Sequence, residues 1–165
     1  MVSLRSGANP LFLREDELRQ AMEMLFYAYR DFTAEPDAIL AKYGFGRAHH
    51  RAIYFVGRNP GISVTALLRI LKITKQSLSR VLGHLVREGF IVQKADPADR
   101  RRRRLYLTPR AEELERSLTE KQSGRIARAY REAGAEAVAG FRNVLRGIIN
   151  EDDRHRFANG EFGRG

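Results

Sequence analysis

Residues 62–90, "ISVTALLRILKITKQSLSRVLGHLVREGF", decide the fold. Ser63 is a good helix N-cap. Val64, Leu67, Leu68 and Leu71 follow at steps of three and four, which gives a short helix one apolar stripe. Thr74 offers a second N-cap a few residues later, and Ile73 before it and Leu78 after it occupy the two positions of a hydrophobic staple. Leu78, Val81, Leu82 and Leu85 mark the buried face of that second helix. Gly89 stands where a helix C-terminus favours a residue able to take positive φ. Two short helices joined by a tight turn predict a helix-turn-helix.

The pattern changes period on leaving this pair. "FIVQK" (90–94) is strand-like, "ADPAD" (95–99) is a turn around Pro97, and "RLYLT" (104–108) alternates again with Leu105 and Leu107 on one face. A β-hairpin attached directly to the second helix is a wing. Thr108 then caps a new helix with Pro109 at its first position. Leu114, Leu118, Ile126 and Tyr130 continue that helix and Gly134 ends it. A last helix carries Val138, Phe141, Val144, Leu145, Ile148 and Ile149. Upstream, residues 15–33 place Leu18, Met22, Leu25, Phe26, Tyr29 and Phe32 on one helical face. "AEPDAILAKYGFG" (34–46) reads as an irregular or short helical link, and "RAHHRAIYFVGR" (47–58) as a second helix stopped by Asn59-Pro60-Gly61. The expected fold class is therefore mainly α with a small β-hairpin wing. A winged helix-turn-helix lobe (47–109) is flanked by helical regions at 14–46 and 110–152, and the ends, 1–13 and 153–165, are expected to be flexible.

The 165 residues are enough for one compact core, and 43% hydrophobic with 30% charged is a globular composition. No apolar run approaches a membrane span, and the N-terminus lacks the apolar segment of a signal peptide, so a cytoplasmic location and no membrane partner are expected. The absence of cysteine excludes disulfides and thiolate chemistry. Of the four histidines, His49 and His50 are adjacent and point about 100° apart on a helix, so they do not readily chelate one metal. No phosphate loop, nucleophile elbow or other catalytic constellation is present. The chain is read as a non-enzyme without metal or cofactor.

A formal net charge of +10 favours a polyanionic partner. Five arginines, Arg100 to Arg104, stand in a row at the tip of the expected wing. Their mutual repulsion is relieved if the wing meets the phosphates that line a DNA minor groove. Arg100, Arg101 and Arg102 are the candidate contacts, with the Asp99 carboxylate placed to hold the Arg101 guanidinium extended. The second helix of the pair presents Lys75, Gln76, Ser77, Ser79, Arg80, His84 and Arg87 away from its apolar stripe. Such a helix enters the major groove by its first turns. Gln76 and Arg80 are able to read adenine and guanine edges, while Lys75, Ser77 and Ser79 suit phosphate or mixed contacts. His84 and Arg87 lie where the helix leaves the groove. Ser63 and Thr65 open the scaffold helix, whose free N–H groups suit a phosphate.

With these residues in place, Ser63 to Ala111 resembles the winged helix-turn-helix of the MarR family of bacterial transcriptional regulators. The family wing reads approximately D-P-x-D-x-R and then L-T-x-x-G. Here Asp96-Pro97-Ala98-Asp99-Arg100-Arg101 and Leu107-Thr108-Pro109-Arg110-Ala111 follow that order, with Ala111 in place of the glycine. Ser79 and Arg80 match the family's polar-then-arginine pair, and Arg101 matches its minor-groove arginine. The resemblance implies a homodimer formed by the outer helices, which would make 14–46 and 110–152 a dimerisation region. It also implies a sequence-specific regulator of double-stranded DNA with palindromic operators, usually a repressor. Release by a small aromatic or phenolic anion is implied too, with Tyr27, Tyr43, His49 and Ile53 as candidate lining residues. Two other readings remain open at this point, a nucleoid-type DNA-coating protein and a basic RNA-binding module. Against the latter, no exposed aromatic platform for single-stranded bases is evident.

Overall fold

The computed structural model describes residues 10–157. After a single 3-10 turn at Leu11–Leu13, the chain runs through α1 (Glu15–Ala41), α2 (Arg47–Arg58), β1 (Ile62–Ser63), α3 (Val64–Leu71), α4 (Lys75–Arg87), β2 (Ile91–Ala95), β3 (Arg103–Leu107), α5 (Pro109–Ala133), α6 (Ala135–Ile148) and α7 (Glu151–Arg154). The strands form one antiparallel sheet in the order β1-β3-β2, with Gln93 opposite Leu105 and Ile62 on the other side of Leu105. Among the described residues no helix is long and apolar enough to cross a membrane.

The helix-turn-helix forms where the caps predict it. The Ser63 hydroxyl accepts the Ala66 N–H at 3.1 Å, and the Thr74 hydroxyl accepts the Ser77 N–H at 3.1 Å. Gly89 takes φ +79°, a conformation that a side chain disfavours, and this turns the chain from α4 into β2. Thr108 does two things at the base of the wing. It caps α5 by accepting the Ala111 N–H, and its own hydroxyl donates to the Gly89 carbonyl at 2.7 Å. The Arg110 guanidinium, lying over the Phe90 ring, donates to the Glu88 carbonyl. The carbonyls of the two residues that follow α4 are thereby bonded to the start of α5.

One expectation is corrected, and two are filled in. Residues 34–41 are not a link, since α1 continues as one helix to Ala41 with Pro36 inside it. A proline has no N–H for the Phe32 carbonyl four residues back. Gln122 of α5 donates to that carbonyl instead, at 3.3 Å, and Pro36 itself is buried. The wing has a third strand, β1, too short to produce an alternation pattern. Short elements reach into both ends within the described range. Leu11–Leu13 form a turn, residues 151–154 form α7, and His155–Phe157 close it with a 3-10 turn. Residues 1–9 and 158–165 lie outside the described range.

The core runs from Leu40 to Leu118. It contains Phe45, Ala52, Ile53, Val56, Leu67, Leu78, Leu82, Leu85, Phe90, Ile91, Leu105, Ala111 and Leu114. It therefore reaches past 47–109 on both sides, borrowing the end of α1 and the start of α5. Ala111 is fully buried, so the small residue that stands in place of the family glycine is accommodated in the core.

Candidate nucleic-acid interface

Helix α4 buries Leu78, Val81, Leu82 and Leu85 and leaves Lys75, Gln76, Ser77, Ser79, Arg80 and Arg87 exposed. Its first turn is held by Thr74, whose hydroxyl also bonds to the Ser77 hydroxyl at 2.8 Å. Gln76 and Arg80 are one helical step of four apart and lie on the solvent side of a helix that the core fixes from behind. Thr65 is exposed at the start of α3, whereas Ser63 is half-buried and its oxygen is used by the Ala66 cap.

The wing loop sorts the arginine row. Asp96, almost fully buried, accepts the Ala98 N–H at 2.9 Å and pairs with Arg104 at 3.2 Å. The Ala98 N–H, and then the Arg104 cation, hold the Asp96 carboxyl below its ordinary range against the opposing effect of burial. Asp99 accepts the Arg101 backbone N–H at 3.0 Å, and its other oxygen lies 3.8 Å from the Arg102 guanidinium. Its expected role is thus corrected: the carboxylate fixes the main chain at Arg101, as an Asx turn does, and does not hold the Arg101 guanidinium. Arg102 and Arg104 are tied back to the two aspartates. Arg100, Arg101 and Arg103 are exposed and make no ion pair among the described residues. Arg103 was not among the expected contacts. Only the pairing register, with Arg103 opposite Ala95 and Arg104 opposite Lys94, separates it from its tethered neighbour.

The MarR family model matches residues 43–102, which span α2 to the wing. Over 151 residues, 92% of this chain and 91% of the relative, the sequence is 47% identical to the HTH-type transcriptional regulator PetP of Rhodobacter capsulatus. The chain belongs to the MarR family. By family it is a transcriptional regulator and not an enzyme. Among solved structures it is similar to MarR itself, at TM-score 0.60 and 24% identity over 83% of this chain and 98% of that one. It is also similar to Streptococcus pneumoniae FabT in complex with DNA, at TM-score 0.71 and 17% identity over 79% of this chain and 94% of that one. These two likenesses establish the MarR fold.

Against that MarR fold, His84 departs from the other expected contacts. It is half-buried, and its ring meets Phe45 edge to face at 5.1 Å and His49 at 5.0 Å. It faces α2 rather than open solvent, because a helix row drifts by about 40° at each step of four and carries the side chain after Gln76 and Arg80 round toward α2. Of the four residues expected to line an effector crevice, only Tyr43 and His49 come together, on the Phe45 ring. Tyr43 stacks on Phe45, His49 stacks on the same ring, and Ile53 is fully buried core. Tyr27 is exposed on α1 beneath the Arg30 guanidinium. The two described clefts lie elsewhere. One, of about 280 Å³, is between Val56, Leu107, Glu112 and Arg116, and the other, of about 360 Å³, is between Ile62, Arg69 and Arg156.

Proposed function

We propose that this MarR-family protein is a cytoplasmic homodimer that binds palindromic double-stranded DNA sequence-specifically, most simply as a repressor. The observation that carries the proposal is the joint presentation of α4 and the wing. Gln76 and Arg80 are exposed on a capped, core-backed helix, and Arg100 and Arg101 on a loop braced by two aspartates, with Arg103 at the start of β3, make no ion pair among the described residues. Side chains able to read base edges favour a specific regulator over a nucleoid-coating protein. Lys75, Ser77, Ser79 and Thr65 are the accompanying phosphate contacts, and Arg102 joins them if its long pair with Asp99 opens on DNA. Release by a small aromatic or phenolic anion belongs to the same proposal, on the strength of the family.

The dimer is supported by the outer helices. Phe26 on α1 is 64% exposed and Val144 on α6 is 62% exposed, in company with Leu18, Met22, Leu25, Phe141 and Ile148. So many exposed large apolar side chains on the outer helices support an interface, and two-fold pairing is the commonest way to cover one.

Footprinting on genomic fragments tests the reading. A short palindromic footprint with half-sites about one helical turn apart is expected, because a dimer presents both α4 helices to one face of DNA. Arg80→Ala should cost about 1–3 kcal/mol and relax base preference at one position of each half-site. Equal loss on specific and random DNA would instead favour the coating reading.

A further inference from the structure

Two histidines meet between α2 and α4. His49 Nδ1 accepts the Gly46 N–H at 3.0 Å, and His49 Nε2 lies 3.0 Å from His84 Nδ1. The first bond decides the tautomers. A nitrogen that accepts carries no proton, so the proton of neutral His49 is on Nε2 and is donated to His84 Nδ1, and His84 keeps its own proton on Nε2. The same reasoning speaks against a metal between the rings, since the nitrogen that would ligate it carries the hydrogen. Phe45 is packed by both rings, stacked on His49 at 5.0 Å and edge-on to His84, and Tyr43 and Phe90 close the far side of Phe45.

Every protonation breaks this chain. A proton added to His84 Nδ1 sets a donor against the His49 donor. A proton added to His49 Nδ1 sets a donor against the Gly46 N–H. Among the described residues no carboxylate hydrogen-bonds to either ring to offset the charge. From α2 and the loop before it the neighbours are Gly46, Phe45 and Tyr43. From α4 the neighbour is the other histidine, and Arg110 of α5 lies over the Phe90 ring that packs on Phe45. Burial, with the opposing His84 charge second, lowers the His49 pKa. His50, on the neighbouring face of α2, is also lowered by burial, but it is set among Asp37, Glu115 and Arg51 and takes no part in the chain.

We propose that His49 is a positioning residue for DNA reading, holding α4 through His84 in the rotation that presents Gln76 and Arg80, and releasing it when the pair takes up a proton. His84 is the next member of the Gln76–Arg80 row at steps of four, so fixing it against α2 fixes the angle of that row. The inference rests on the DNA-binding reading above and adds to it a sign. Acidification makes the protein more positive, which by bulk electrostatics strengthens DNA binding. The histidine pair makes specific binding weaken instead.

The test uses the full-length protein and a duplex that it selects from random sequence at about pH 7.5, with affinity followed at constant ionic strength down to about pH 5.5, across the histidine range. Wild type should lose affinity by up to about tenfold per pH unit for each proton taken up. His84→Asn keeps an acceptor in place of Nδ1 and cannot be charged. His49→Gln keeps the donor in place of Nε2. Both should bind at about pH 7.5. Each single variant leaves one titratable ring and should keep only part of the acid-side weakening, the double variant His49→Gln with His84→Asn should lose it, and His50→Gln should retain it in full. Tighter wild-type binding on acidification, or a wild-type profile in the double variant, overturns the proposal. Nitrogen-15 spectra of the imidazoles provide a readout independent of DNA. An Nε2-protonated His49 at neutral pH is expected, and the opposite tautomer also overturns it. A protein that selects no duplex would defeat the DNA-binding reading, while the imidazole spectra would still decide the pair.

Discussion

The winged lobe and the outer helices have comparable shares of apolar residues and opposite fates for them. Between Leu40 and Leu118 the large side chains close on one another, and Leu67, Leu85 and Leu105 have no exposed surface. On α1 before Phe32 and on α6 they remain open, and no residue of α6 is buried. The difference is geometric. The lobe has three helices and a small sheet at angles to one another, so each apolar stripe finds a facing element. The outer helices are long and few, and α5 cannot cover α1 and α6 along their lengths. A stripe that its own chain leaves uncovered is what the proposed dimer would cover.

Substitutions that cross the boundary between the two regions should separate them. The largest effect is expected for Phe141→Asp. Removing one apolar side chain from an interface is worth about 1.5–3 kcal/mol and two-fold symmetry counts it twice, so the dimer should weaken by about 3–6 kcal/mol. Sedimentation should show monomers while each lobe keeps its circular dichroism. A variant that unfolds at once, like a core variant, would show that α6 packs on its own chain. Leu85→Ala is the lobe's counterpart and should cost about 2–5 kcal/mol per chain in urea, with a cavity left behind Phe90 and Leu105. Its dimer affinity should change far less than its unfolding midpoint.

A smaller effect, about 1 kcal/mol and possible to measure by the same denaturation, is expected for Thr74→Ala, which removes the α4 cap. Ser at 74 should restore it. The smallest effect on global stability is expected for Asp96, whose contribution is local to the wing. Its carboxyl is depressed in the folded protein, so the stabilisation is complete above the ordinary aspartate value of about 3.9 and is lost as pH falls through the lower folded value. Asp96→Asn should flatten that acid limb. Proteolysis of the wing loop, rather than the melting temperature, is the sensitive measurement.

How much of this was legible in the sequence depended on the range of the interactions involved. The caps at Ser63, Thr74 and Thr108, the positive φ at Gly89 and the helix stop at Gly134 are decided within a few residues, and they stand in the structure as the sequence predicts. Pro36 misled because its cost is offset from Gln122, which lies 86 positions further along the chain and has no local signature. The β1 strand exists only through its pairing with β3. In the arginine row, charge was evident but assignment was not, since Asp96 and Asp99 choose their partners by loop geometry. His84 looked like part of the exposed face because the side that meets α2 depends on where α2 lies. The candidate contacts on α4 follow from helix periodicity alone, whereas the effector residues required knowing which surfaces meet.

The clamp between Thr108, Arg110 and the end of α4 has a mechanical consequence. Because α5 begins bonded to the carbonyls of Gly89 and Glu88, a tilt of the long helix would carry the end of α4 with it. Helix α5 has 25 residues and so extends about 37 Å at 1.5 Å per residue. A tilt of about 10° at its far end would sweep the DNA-reading end through roughly 6 Å, nearly two base-pair steps. If two copies pair through α5 and α6 as proposed, the spacing of half-sites that the dimer accepts would be set as an angle at that contact, and small changes there would be magnified at the DNA.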